Sequence, residues 1–108
     1  MTDLFDKGIS LYLDHNDPVG GLRYLLEAAK GGYKQAYGQI AIIIYREKND
    51  VVKAEKWFKA EMWFRKAEEI DCLEAPNAHT YGMLLIEERG DVERGNYYLD
   101  KAAKEGFE

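Results

Sequence analysis

The feature that most constrains this chain is a long internal repeat. Shifting the sequence by 74 residues lays 8–33 on 82–107 without a gap. Ten positions then coincide: Gly8/Gly82, Leu11/Leu85, Asp17/Asp91, Gly21/Gly95, Tyr24/Tyr98, Leu25/Leu99, Ala28/Ala102, Ala29/Ala103, Lys30/Lys104 and Gly32/Gly106. Tyr33 and Phe107 pair as aromatics. The shared residues are mostly small, apolar, turn or capping types, which fix how backbones pack. A chain repeated in this way buries its apolar surface by stacking one unit on the next.

A weaker copy occupies the middle. Ala41 stands at the first glycine, Ile44 at the leucine, Asp50 at the aspartate, Ala54 at the second glycine, and Trp57-Phe58 at the Tyr-Leu pair. The copy then stutters: Lys-Ala-Glu-Lys-Trp-Phe over 53–58 is followed by Lys-Ala-Glu-Met-Trp-Phe over 59–64, a six-residue tandem duplication. With those six residues discounted, Ala67 falls on the alanine position and Asp71 on the closing glycine. The sequence thus predicts one domain of three units, about 3–33, 35–72 and 77–107.

Each unit reads as helix–turn–helix. First helices are expected over about 4–13, 35–47 and 78–89, and second helices over about 19–30, 51–70 and 92–104. Asp17, Asp50 and Asp91 are placed to cap the second helices, the first of them ahead of Pro18. Gly31-Gly32 and Gly106 supply a left-handed residue to close them. Lys30 and Lys104 lie at the negative end of the helix dipole. A mid-helix glycine costs about 1 kcal/mol against alanine. Gly8, Gly21, Gly82 and Gly95 therefore predict closely approaching backbones, with Tyr24, Trp57 and Tyr98 filling the space between layers. The run Ile-Ala-Ile-Ile-Ile-Tyr over 40–45 also has the β-branched content of a buried strand, although its counterparts in the other units are helical in pattern.

The totals narrow the function classes. Two prolines, Pro18 and Pro76, both at expected helix boundaries, suit a helical chain. A net charge of −5 disfavours nucleic acid as partner. The single cysteine, Cys72, excludes an intramolecular disulfide and favours a reducing compartment. No signal-peptide pattern opens the sequence, and the longest apolar run falls far short of the ~20 residues that cross a bilayer. A cytoplasmic location without membrane association is expected.

The pattern Gly-x-x-Leu-Tyr, a short turn with Asp, then Gly-Leu-x-Tyr-Leu-x-x-Ala-Ala-Lys-x-Gly-Tyr over 8–33 resembles the Sel-one-like repeat, a subclass of the tetratricopeptide-like superfamily. Trp57-Phe58 and Trp63-Phe64 match its aromatic pair, and Ala-Ala-Lys-Glu-Gly over 102–106 its closing signature. The resemblance covers residues 3–107. It departs at the inter-helix turns, which shorten to Asn16-Asp17, Asn49-Asp50 and Gly90-Asp91, and at the stutter. It implies an all-α fold, a short right-handed α-solenoid of antiparallel helix pairs, in a family of adaptor and scaffold proteins that includes bacterial partners and inhibitors of other proteins.

In such a stack the first helices line the concave groove. Ile9, Ile42 and Met83 would project there at one position, and Tyr12, Tyr45 and Ile86 at another. Phe5, Gly38 and His79 stand one turn earlier. An apolar and aromatic ladder suits a docking helix or extended segment. The plainer reading is that it packs the core. The second candidate is the stuttered helix. Six residues add about 9 Å and turn the repeat by about 240°, so the pairs Trp57-Phe58 and Trp63-Phe64 cannot face the same neighbour. One set is expected to pack and the other to stand out as interface anchors; burial of all four is the alternative. Glu55 and Glu61 lie four residues before Lys59 and Arg65, which reads as a solvated, ion-paired face. Acidic clusters at Glu68, Glu69, Asp71, Glu74 and at Glu87, Glu88, Asp91, Glu93 read as surface, or as steering a basic partner.

Catalysis has no support in the residues. His15 and His79 are isolated, no spacing makes a zinc site, and Cys72 reads as a packed small hydrophobe. No cofactor is expected. The reading is a non-enzymatic module that binds another protein through its concave groove. One alternative is a small acidic immunity- or inhibitor-type protein that neutralises a toxin or enzyme. The other is a self-associating module whose open ends, with Phe107 in the last unit, would stack into a homodimer.

Overall fold

The computed structural model describes residues 2–67 and 73–106. Among the described residues six α-helices run in order: α1 (Thr2–Leu13), α2 (Pro18–Lys30), α3 (Ala36–Ile43), α4 (Val51–Ala67), α5 (Ala75–Arg89) and α6 (Val92–Lys104). A π-helical turn, Ile44–Lys48, prolongs α3. The fold is all-α, and no strand occurs among the described residues. The strand alternative for 40–45 therefore falls. α3 is apolar nearly all round and buried at Ala36, Gly38, Ile40, Ala41, Ile42 and Ile43. Full burial lets β-branched residues form helix despite their modest propensity. Two departures from the expected boundaries are the largest. α5 begins at Ala75, with Pro76 in its first turn, where a missing N–H costs nothing. The expected third helix, 35–47, changes from α to π winding at Ile44.

The chain forms two compact units, Met1–Glu61 and Met62–Glu108, with the division inside α4. In the first, α1 and α2 make an antiparallel hairpin and α3 packs on α2; in the second, α5 and α6 make the equivalent hairpin.

The three inter-helix turns are built alike. Before each second helix one residue is left-handed: Asn16 (φ 50°), Asn49 (φ 51°) and Gly90 (φ 66°). The next residue is the capping aspartate. Its N–H reaches back six residues, from Asp17 to the Leu11 carbonyl at 2.8 Å, from Asp50 to Ile44 at 3.4 Å and from Asp91 to Leu85 at 2.9 Å. Its carboxylate accepts from the N–H three residues on: Gly20 at 3.0 Å, Lys53 at 3.1 Å and Arg94 at 3.2 Å. Two orphan groups of helix termini are thereby satisfied at every turn. At the far end of α2, Gly32 (φ 99°) is left-handed, while its N–H bonds to Ala29 and that of Tyr33 to Ala28, a Schellman closure. Gly106 (φ 88°) does the same work after α6, its N–H on the Ala103 carbonyl.

The mid-helix glycines hold the two hairpins shut. A Cβ added at Gly21 would stand 2.8 Å from the Gly8 carbonyl oxygen, and one at Gly8 2.9 Å from that of Gly21. At Gly82 and Gly95 the corresponding distances are 2.7 and 2.8 Å. The repeat-equivalent Leu25 and Leu99 close over these seams, their Cγ atoms 2.9 and 3.0 Å from the same added Cβ positions.

Among the described side chains of α4 the buried ones form a stripe: Ala54, Phe58 and Glu61, spaced four and three residues apart. Glu61 is therefore not on the solvated face assigned to it from spacing, being only 2% exposed. The reason is helical phase, since Glu61 falls one turn after Phe58 and follows it inward. Arg65 continues the stripe and pairs with Glu74 at 3.3 Å.

Candidate functional site

In the first unit, Phe5 meets the Tyr33 ring edge-on at 5.0 Å. Ile9, Tyr12 and Tyr45 are half-buried, whereas Ile42 is 6% exposed and has little surface to offer. The π winding matters here, because it widens the helix and shifts its phase just where Tyr45, Arg46 and Glu47 emerge. The Tyr12 hydroxyl donates to Glu47 Oε2 at 3.1 Å, joining α1 to this turn. The structure thus brings Tyr12 beside the π turn that carries Tyr45.

Burial, then the hydrogen bond to Glu47 and its charge, raise the Tyr12 phenol above its ordinary value of 10.0, with Arg46 opposing. The fold therefore favours the neutral phenol. Its stabilising contribution is complete below pH 10 and is lost as pH climbs through the higher folded value. Tyr12→Phe is expected to remove a late step from the tyrosinate absorbance titration. The unfolding free-energy difference between wild type and Tyr12→Phe should narrow above pH 10. A titration identical in both proteins would rule this out.

In the second unit, His79, Met83 and Ile86 are half-buried on α5. Ile86 leans over Gly95 much as Tyr12 leans over Gly21, so this register position serves the hairpin seam as well as any outer face.

The duplicated aromatics separate. Trp57 is half-buried with its ring 5.4 Å from Tyr37, Phe58 is fully buried, and Trp63 is 74% exposed. The side chain of Phe64 lies outside the described residues, as do Cys72, Phe107 and the acidic residues Glu68, Glu69 and Asp71. Among the described residues no group of three or more His, Cys, Asp or Glu could hold a metal ion. No described helix is long and apolar enough to cross a membrane.

Spacing did not reveal a trough along α2. One cavity of about 350 Å³ is lined by Leu26, Ala29, Lys30, Tyr37 and Trp57. A second, of about 330 Å³, is lined by Val19, Leu22, Arg23, Leu26, Glu27 and Lys48. Leu26 lines both, so the two follow one another along the same face of α2. Its signal in the sequence was the width of the apolar arc on α2. Gly21 and Leu25 close the seam with α1, whereas Val19 and Leu26 of the same arc stay exposed. The repeat-equivalent face of α6 carries a depression of about 380 Å³ with opposite chemistry, lined by Tyr97, Asp100, Lys101, Lys104 and Glu105.

No family model, curated protein or solved structure matches the chain.

Proposed function

We propose that this chain is a non-enzymatic protein-binding module made of Sel-one-like, tetratricopeptide-like helix pairs stacked as a short right-handed solenoid. It binds its partner through the face formed by the first helices. The observation that carries the reading is the three like-built turns at Asp17, Asp50 and Asp91, each joined by the same backbone and side-chain hydrogen bonds. The repeated positions are used for scaffold, while the outward positions between them differ from unit to unit. A scaffold held constant beneath a varied surface is how repeat proteins build recognition faces.

Within the first-helix face, Tyr12 and Tyr45 are the anchors of choice. Both are half-buried aromatics with a polar tip, a type enriched at interface hot spots. The test is affinity capture from native lysate with wild type, Tyr12→Ala and Tyr45→Ala, each checked by circular dichroism for intact helix. Both substitutions should release the captured partner. A partner retained by both folded variants would remove the first-helix face as the site.

A further inference from the structure

We infer that the trough along α2 is a docking site for an acidic amphipathic helix presented by a partner protein. The trough centres on α2 and neither Tyr12 nor Tyr45 lines it, so failure of one reading leaves the other standing.

Shape comes first. The apolar strip runs from Val19 through Leu22 and Leu26 to Ala29, ten helical steps or about 15 Å. That length accepts nearly three turns of a second helix, with anchors at i, i+3 or i+4, and i+7. The rings of Tyr37 and Trp57 wall one side of its far half.

The strip is not a demand of the hairpin. In the repeat-equivalent α6 its counterparts are Glu93, Asn96 and Asp100, and that hairpin closes on the same glycine seam. Leu22 is buried within its own unit, but Val19 remains 67% and Leu26 39% exposed. Two large aliphatic side chains thus face water beside a concave channel, where the other copy of the repeat places carboxylates.

Charge selects the occupant. Arg23, Lys30 and Lys48 rim the channel, all exposed, and among the described residues none of their side chains makes a hydrogen bond or ion pair. Glu27 is the one acid in the lining. The rim is thus cationic on a chain whose net charge is −5. Carboxylates flanking an apolar stripe would complement it. The apolar contacts would supply affinity, and the rim charges orientation and association rate. The concavity favours a helix over a flat bilayer surface, which would reach Val19 and Leu26 but not the channel floor.

Trp57 in the wall provides the readout. In a Trp63→Phe background it is the sole tryptophan, since the chain has two. The probe is a synthetic helical peptide of about eleven residues, three turns, with leucine every third or fourth position and glutamate on the flanks. A second peptide has lysine for every glutamate, and vesicles of mixed phosphatidylserine and phosphatidylcholine form the third arm. The acidic peptide should shift Trp57 emission to the blue and bind about tenfold more tightly than the lysine peptide at low salt. Leu26→Glu should abolish the shift, and Arg23→Glu with Lys48→Glu should reverse the order of the two peptides. Because Arg23 and Lys48 are exposed, that double variant decides the matter even if Leu26→Glu fails to fold. Equal binding of both peptides, a preference for lysine, or binding to vesicles alone would overturn the assignment.

Discussion

Replacing Gly95 with alanine is expected to destabilise the protein by about 1–3 kcal/mol, the usual cost of forcing an extra methyl group into a closed interior. Helix propensity argues the other way, because alanine in place of a helical glycine gains about 1 kcal/mol. Position decides between them. The new Cβ would lie 2.8 Å from the Gly82 carbonyl oxygen and against the Ile86 side chain. Ile86 can rotate, but the carbonyl belongs to the backbone of α5, so the two helices must separate. Separation loosens Leu99, which closes over the same seam. Gly82→Ala meets the mirror-image obstacle at 2.7 Å from the Gly95 oxygen. The double variant should then cost less than the two singles together, because helices already pushed apart by one methyl have room for the other. The first hairpin makes an independent copy of the experiment, with Gly8 and Gly21 in the same roles. Urea unfolding followed by circular dichroism reads all of these. A neutral or stabilising Gly95→Ala would mean that the close approach is not what the glycines are for.

What was legible in the sequence is what depends on neighbours a few residues away. Asp17, Asp50 and Asp91 announce themselves because a capping carboxylate reaches only the N–H three residues on, so its effect is local and recurs with the repeat. Gly32 and Gly106 are legible for the same reason, since the left-handed turn they make is demanded by the helix they end. The glycine pairs go one step further. Each implies a partner backbone, and the repeat names the helix that brings it.

Features set by what lies opposite were not legible. Glu61 looks like any surface glutamate until the phase of α4 is fixed by Phe58, and only then does it prove to be buried. The π winding at Ile44–Lys48 leaves no mark in composition, because it depends on which carbonyl each N–H selects. Val19 and Leu26 belong to an apolar arc that reads as core. Which part of a broad arc stays uncovered is decided by the helices packed beside it. The candidate trough therefore needed coordinates, whereas Tyr12 and Tyr45 could be nominated from register alone.

The tandem duplication supplies the other large effect. Phe58→Ala is expected to cost about 3–5 kcal/mol, the loss of a buried aromatic plus the cavity left behind. Trp63→Ala should stay within about 0.5 kcal/mol of wild type, as surface substitutions do. The two residues come from successive copies of the same hexapeptide and differ by five positions, which turns them about 140° apart on the helix. Phe58 is wholly buried, and Trp63 stands 74% exposed on the other side. The counterpart of Trp63 in the first copy is Trp57, half-buried against Tyr37, so interchangeable copies would make Trp57→Ala and Trp63→Ala lose similar stability. Helical geometry forbids that equivalence, because 600° of rotation cannot return a side chain to the face it left. The duplication therefore lengthens α4 and turns its second tryptophan outward in the same step. If Trp63→Ala proves as costly as Phe58→Ala, Trp63 is core, and its assignment as an outward aromatic fails.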